Sequence, residues 1–381
     1  MQLSVDLTTA QKRYLDSQMK VVSRSFALVV PSVEEPLNHY LAAAYLICRV
    51  VDNIEDCGEP YEWQAARFGE FERLLSDPAS APATLEAWGR ERWPGLTADE
   101  RRMMGPESGS ALWEIYGGIP SRFRRPIAHW AGEMAAGMRA IEDPRTDGLM
   151  SERKGIRLPR LESGYNQYCY YVAGTVGHMV TELAIAHYGL DEDTSAELER
   201  LSEACGRGLQ KTNIVKDFAK DFARGACYLP DEWLARCDHS PLDLAGAPKE
   251  WSSAVLEDVV TELREAVGYV LALPESALGY RRASLLSLFP ALQTIHRAAR
   301  NLERLFTADH DIKISRGTMA RCVADASRLA GDNAAVADYA RRVMAEIDAA
   351  LGHVPASRDD GFGTSRHDSL GAGGGDRELE A

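Results

Sequence analysis

Residues 45–56 read YLICRVVDNIED, and the end of this stretch decides how the chain is read. Asp52 and Asp56 stand one helical turn apart, with Glu55 between them, at the end of an apolar segment that begins Leu41-Ala42-Ala43-Ala44. Residues 210–221, QKTNIVKDFAKD, repeat the theme. On a helix, Tyr45, Arg49, Asp52 and Asp56 fall at i, i+4, i+7 and i+11 and share one face. Gln210, Asn213, Asp217 and Asp221 fall at i, i+3, i+7 and i+11 and do the same. Core-type residues flank both stripes: Leu46, Ile47, Val50, Val51 and Ile54 in the first, Ile214, Val215 and Phe218 in the second. A polar stripe on such a helix can face a cavity inside a bundle instead of bulk water. For DNIED alone a solvated helix end is the plain alternative; two such stripes, with Gln and Asn in register, argue for the cavity.

Like charges at i, i+4 on an exposed helix cost roughly 0.2–0.5 kcal/mol. Buried and unpaired, each carboxylate costs several kcal/mol or goes neutral. Facing carboxylates therefore call for cations. Mg²⁺ suits them, since it takes oxygen ligands in octahedral geometry, keeps waters and sits between carboxylates and substrate phosphates. It also makes an acidic cavity attractive to a diphosphate in a chain of net charge −14.

The 381 residues, 45% hydrophobic, suffice for one large domain or two ordinary ones. The acidic balance, with a pI near 5.2, leaves no broad basic surface for nucleic acid. Seven cysteines stand singly at 48, 57, 169, 205, 227, 237 and 322, so neither a zinc site nor a disulfide framework is indicated, and a reducing cytoplasm fits. His178, on an apolar helix, reads as a hydrogen-bonded core residue. MQLSVDLTTAQKRYLDSQ at the N-terminus lacks the apolar core of a signal peptide. The apolar stretch around 171–190 is interrupted by His178, Glu182 and His187 and reads as a buried helix. Peripheral membrane contact stays open.

The class is all-α, with helical patterns at about 62–76, 125–142, 163–188, 193–222, 249–272, 282–306 and 318–350 and no convincing strand alternation. Ser32 and Glu35 have capping-box spacing ahead of the DNIED helix, and Pro36 is the alternative first residue. The charged, Gly- and Pro-rich run 143–160 reads as an exposed loop or flap. Residues 1–353 read as one domain and 354–381 as a disordered tail too poor in apolar residues to fold.

Five motifs occur in one order: Ser23-Arg24-Ser25-Phe26, DNIED at 52–56, YCYYVAGTVG at 168–177, LQKTNIVKDFAKD at 209–221 and CYLPDEW at 227–233. In these the chain resembles the squalene and phytoene synthases, the head-to-head prenyltransferases, over about residues 20 to 350. The resemblance implies a single isoprenoid-synthase helical bundle with a deep central cavity that binds two allylic diphosphates. By position it makes Asp52, Asp56, Asp217 and Asp221 the Mg²⁺-binding acids, supported by Asn213 and Gln210. Ser23, Arg24 and Ser25 would hold diphosphate oxygens, and a guanidinium with two hydroxyls suits that chemistry. Arg49, beside Tyr45 on the acid stripe, serves the same phosphate or pairs with an acid. Tyr168 matches the tyrosine implicated in proton handling or cation stabilisation, and Tyr228 is placed to close the cavity mouth. Phe26, Val172, Val176 and Phe289 are candidates for the wall of a dry pocket around an allylic cation.

QKTN and the D-N-I-E-D form of the first motif resemble the squalene branch, which implies farnesyl diphosphate as substrate, presqualene diphosphate as intermediate and reduction by NADPH. Ile312-Lys313-Ile314-Ser315-Arg316-Gly317 resembles the basic segment that squalene synthases place near the NADPH phosphates, with Lys313 and Arg316 as its cations; an ordinary exposed helix start is the alternative. Lys220 departs from the pattern, standing where squalene synthases usually carry an acid. A hydrophobic C-terminal anchor like that of the eukaryotic enzymes is not seen, so the chain resembles the soluble bacterial members. Open alternatives are a non-reducing presqualene, dehydrosqualene or phytoene synthase, a repurposed prenyltransferase, and a catalytically dead scaffold. Monomer and homodimer are both open.

Overall fold

The structure, a computed structural model, describes residues 7–23, 26–145, 150–153, 155–230, 232–233, 248–307 and 312–352. Arg24, Ser25 and the tail from 354 lie outside the described residues. The described chain is overwhelmingly helical: α1 (Thr9–Val22), α2 (Phe26–Val29), α3 (Leu37–Glu55), α4 (Tyr61–Ser76), α5 (Ala81–Trp88), α6 (Ala98–Met103), α7 (Pro106–Gly118), α8 (Ser121–Glu142), α9 (Glu162–Cys169), α10 (Thr175–Tyr188), α11 (Glu192–Ala223), α12 (Lys249–Ala272), α13 (Leu278–Ala299), α14 (Arg316–Leu329) and α15 (Asn333–Leu351). No helix among the described residues is long and apolar enough to cross a membrane.

Two helices organise the bundle. α3 is apolar nearly all round, with residues from Leu37 to Ile54 buried, and packs on α1, α4, α8 and α10, as expected of a central helix. α11, 32 residues long, packs along α12 and α10 and touches α13. Its crossing with the α10 segment is close because both sides lack side chains there. A Cβ on Gly206 would fall 2.1 Å from the Ala173 carbonyl oxygen, and one on Gly177 would fall 2.2 Å from that of Ser202. Polar ties fix the remaining helices. Lys211, 1% exposed, donates to Asp258 at 2.9 Å and Glu262 at 3.0 Å across the α11–α12 seam. The buried Arg281 guanidinium donates to the carbonyls of Val270, Leu273 and Ala330 and to Asn333, joining α13 to two loops.

Several expectations need correction. The capping box at Ser32–Glu35 does not form: Pro36 sits at the N-cap of α3 without a side-chain cap. Glu34 instead accepts from the Gly279 amide at 2.8 Å and the Tyr188 hydroxyl at 2.6 Å, and Glu35 pairs with Lys12. The helix expected over 163–188 is interrupted by a π-helical turn, Tyr170–Gly174, and the one over 318–350 breaks between Leu329 and Asn333. Helices α5, α6 and α7 went unread; α5 and α6 are short, and buried tryptophans anchor α5 through Trp88 and α7 through Trp113. Trp88 Nε1 donates to Glu70 at 2.6 Å, and Trp93 stacks edge-on against both Trp88 and Trp63.

The run 143–160 contains an antiparallel hairpin, β1 (Met150–Arg153) with β2 (Ile156–Pro159), turned at Gly155 with φ +78°. It is tied to the end of α11, since Arg157 N donates to Gly225 O at 2.7 Å and Cys227 N to Arg157 O at 2.8 Å. The Arg157 guanidinium grips Glu142, at the end of α8, at 2.6 Å. The hairpin thereby closes the end of the bundle where both acidic stripes finish.

Candidate active site

The α3 stripe is built as the spacing implies. Arg49 Nη1 approaches Asp52 Oδ2 at 3.5 Å, and the same guanidinium pairs with Glu100. Glu100 is the last member of a capping box with Thr97 at the start of α6. Burial, reinforced by Asp56 and opposed by Arg49, pushes the Asp52 carboxyl up to about 6. Burial also raises Asp56, against Arg49 and Arg224. Glu55 is driven well above the usual carboxylate range by burial and then by Asp56 and Glu142, with Arg157 of the hairpin opposing. This end of the molecule holds more negative charge than its own cations balance.

On α11, Asp221 is raised by burial and by Asp217, with Arg224 opposing. Asp217 behaves differently. Burial disfavours its charge, yet the hydrogen bond from Lys220 and the nearby Lys216 outweigh burial and hold the carboxyl below its usual value. Asn213 Oδ1 accepts from Lys216 at 2.8 Å. Gln210 lies two turns before Asp217 on the same helix, half-buried.

Two tyrosines join the stripes. Tyr168, buried at the end of α9, stacks on Tyr228 with ring centroids 4.6 Å apart. Burial, then Tyr228 and Glu55, pushes the Tyr168 hydroxyl well above its usual range. Burial and then Glu55 push Tyr228 up to about 12, against a hydrogen bond with Tyr168 and with further contributions from Asp221 and Asp56. Tyr228 therefore feels acids from both stripes at once, and the two motifs, far apart in sequence, meet in space.

At the other end of the α3 face, Tyr45 interacts with the Ser23 hydroxyl and packs at a tilt against Phe26, ring centroids 5.0 Å apart. Ser23 Oγ also accepts from the Phe26 amide at 3.0 Å, a capping role compatible with a second contact. Val172 in the π-helical turn and Val176 in α10 pack against the core while staying partly exposed. Phe289 is placed elsewhere: fully buried, it stacks on Tyr339 of α15 at 3.8 Å. Lys313 and Arg316 are exposed at the start of α14, where Ser315 caps the Thr318 amide at 3.0 Å. A groove of about 450 Å³ lined by Arg297, Arg300, Ser315, Thr318 and Arg321 flanks that segment, and one of about 870 Å³ runs beside it. They lie on α12 to α15, and none of the four motif aspartates lines either of them.

Sequence reasoning named Glu55 without giving it a role and passed over Glu100, Arg157 and Lys216. Glu100 left a signal, because T-A-D-E at 97–100 is a capping box. Arg157 left none, since its place depends on the hairpin.

Among the described residues no group of three His, Cys, Asp or Glu side chains is drawn tightly enough to hold a metal ion. The donor set nevertheless fits a hard cation: carboxylates and one amide oxygen, with Asp52, Asp56 and Asp221 all raised first by burial and then by neighbouring acids.

A family model described as squalene/phytoene synthase matches residues 19–318. The squalene synthase of Eremothecium gossypii is 28% identical over 229 residues, 60% of this chain and 47% of that protein. The squalene synthase of Mus musculus is 23% identical over 350 residues, 91% of this chain and 76% of that protein. The alignments span about half the length of the first curated relatives. Among solved structures, TcSQS in complex with the ligand BPH1237 superposes with a TM-score of 0.72 at 22% identity, covering 89% of this chain and 92% of that one. A dehydrosqualene synthase in complex with ligand gives 0.56 at 20%, covering 84% and 96%. These likenesses bear out the helical fold. With the family model spanning most of the sequence and all four motif aspartates in place, the chain belongs to the squalene/phytoene synthase family.

Proposed function

We propose that this protein is an Mg²⁺-dependent prenyltransferase that condenses two farnesyl diphosphates head to head through presqualene diphosphate and reduces the product to squalene with NADPH. The observation that carries it is the meeting of both acid stripes around the Tyr168–Tyr228 stack. Asp52, Asp56, Asp217 and Asp221, with Asn213, would hold the Mg²⁺, and Gln210 would support them. Bound there, Mg²⁺ supplies charge that stabilises a departing diphosphate.

The chain's own groups account for the rest. Arg49 and Ser23 would hold diphosphate oxygens, with Arg24 and Ser25 as the sequence neighbours expected to join them. Tyr168 and Tyr228 keep their hydroxyl protons at neutral pH, so they can present polarised rings and a neutral O–H to a carbocation without quenching it as a phenolate would. Val172, Val176 and Phe26 offer apolar wall that excludes water. Phe289, stacked on Tyr339, is better read as support for α13 than as wall. Lys313 and Arg316 are the cations proposed for the NADPH phosphates; NADPH supplies the hydride. An apolar product would leave toward a membrane, and the exposed Val21 and Leu28 around Ser23 suit that contact for a cytoplasmic protein.

Product analysis by gas chromatography–mass spectrometry, with farnesyl diphosphate and Mg²⁺ and with or without NADPH, tests the proposal. Squalene formed only with NADPH supports it. Presqualene diphosphate or dehydrosqualene regardless of NADPH moves the chain to a non-reducing branch. Inertness toward farnesyl and longer or shorter diphosphates would remove the head-to-head assignment and leave a scaffold role.

A further inference from the structure

The two acid stripes have unlike surroundings. At the end of α3, Asp52 has Arg49 at 3.5 Å, a guanidinium it shares with Glu100. On α11 the cations come from the helix itself. Lys220 Nζ lies 2.6 Å from Asp217 Oδ1, while Lys216 Nζ lies 3.1 Å from Asp217 Oδ2 and 2.8 Å from Asn213 Oδ1. Both carboxylate oxygens of Asp217 and the amide oxygen of Asn213 are thus engaged by ammonium groups. They are the oxygens this stripe would offer to a metal. An ammonium and a hard divalent cation compete for the same lone pairs, so one must leave before the other binds.

Both ammonium groups lie within reach of solvent. Their side chains are 34% and 54% exposed, on long stems that can swing without disturbing the helix. An anion richer in charge and oxygen than a carboxylate would draw them off, and a diphosphate is such an anion. Resting on the metal-site reading above, we propose that Lys216 and Lys220 are an internal counter-ion to Asp217 that keeps metal off the second stripe until a diphosphate takes over their ammonium groups. Substrate then completes its own metal site. The Asp52–Asp56 stripe has only the longer Arg49 contact at Asp52 and loads first. Lys220, the departure from the family pattern, becomes a positioning residue that makes metal binding on α11 conditional.

The test is Mn²⁺ binding, followed by loss of the free-ion electron paramagnetic resonance signal, with and without inorganic pyrophosphate and corrected by a protein-free Mn²⁺–pyrophosphate titration. Wild type, Lys220→Gln, Lys216→Gln/Lys220→Gln and Lys220→Arg are compared. For wild type, pyrophosphate is expected to tighten the weaker Mn²⁺ site roughly tenfold, the scale of removing one positive charge from beside a divalent ion. The two Gln variants should show the tighter binding without pyrophosphate, and Lys220→Arg should behave as wild type. Identical pyrophosphate-free isotherms for wild type and the double variant overturn the proposal. Asp52→Asn and Asp217→Asn separate the two failures. If they lose Mn²⁺ while the lysine variants change nothing, the lysine lock alone falls. If neither affects Mn²⁺ binding, the metal-site reading falls and the lock with it.

Discussion

Replacing Asp52 by Asn should make the metal-free protein more stable while destroying its proposed activity. Asp52 has its carboxyl raised from 3.8 to about 6, first by burial and then by neighbouring acids. The sign follows from linkage: a carboxyl whose folded pKa is raised binds its proton more tightly in the folded state. Stability tied to it is therefore intact below about pH 4, declines as pH rises to about 6, and stays reduced above. A shift of about 2 units corresponds to at most about 3 kcal/mol. The side chain keeps 29% of its surface exposed, so solvent screening reduces this to about 1–2 kcal/mol. Asn carries no charge to desolvate, and Arg49 retains Glu100 as partner. In EDTA at pH 7.5, Asp52→Asn should melt about 1–3 °C higher than wild type by differential scanning fluorimetry. At pH 4.5 the gap should largely close. Added Mg²⁺ should raise wild type more than the variant, because a metal that binds only the folded state adds its binding free energy. A variant that melts at or below wild type at pH 7.5 in EDTA, or whose advantage is unchanged at pH 4.5, would refute the view of this stripe as short of cations.

Other residues make independent tests. Gly206→Ala places a methyl 2.1 Å from a backbone oxygen that no rotamer can relieve, and should cost about 1–3 kcal/mol in urea unfolding. Lys211→Met leaves Asp258 beside an apolar side chain and Glu262 with Arg207 alone, and should cost about 3–5 kcal/mol; adding Asp258→Asn should recover part of the loss. Tyr228→Ala removes the ring stacked on Tyr168 and should lower kcat with farnesyl diphosphate by roughly tenfold, whereas Tyr228→Phe, which keeps the ring, should lose less.

What the sequence disclosed follows the length scale of each feature. The long helices were legible because a 3.6-residue period repeats many times in α4, α8, α11 and α12, and both acid stripes rode on that same period. The hairpin was not, because its strands have four residues each in a charged run and owe their pairing to contacts with Glu142 and the end of α11. The short helices α5 and α6 were missed for a related reason, since 8 and 6 residues hold too few turns for a period to show.

Site residues divide the same way. Asp52, Asp56, Asp217 and Asp221 were visible as spacing, and Tyr168 and Tyr228 through motif order, but nothing local to either motif says that α3 and α11 end at one place. That convergence is tertiary, and the Tyr228 hydroxyl, sensing Glu55, Asp56 and Asp221 together, is its clearest mark. The asymmetry between the stripes is subtler. In sequence both are acid pairs of equal formal charge; in space one shares a single guanidinium with Glu100, and the other is neutralised by lysines at its own i−1 and i+3 positions. A lysine three residues after an aspartate is unremarkable on an ordinary surface helix, where such a pair is worth about 0–1 kcal/mol. On a stripe that must receive a divalent ion the same pair occupies the binding oxygens, so its consequence depends on what the helix faces, which composition and spacing do not specify.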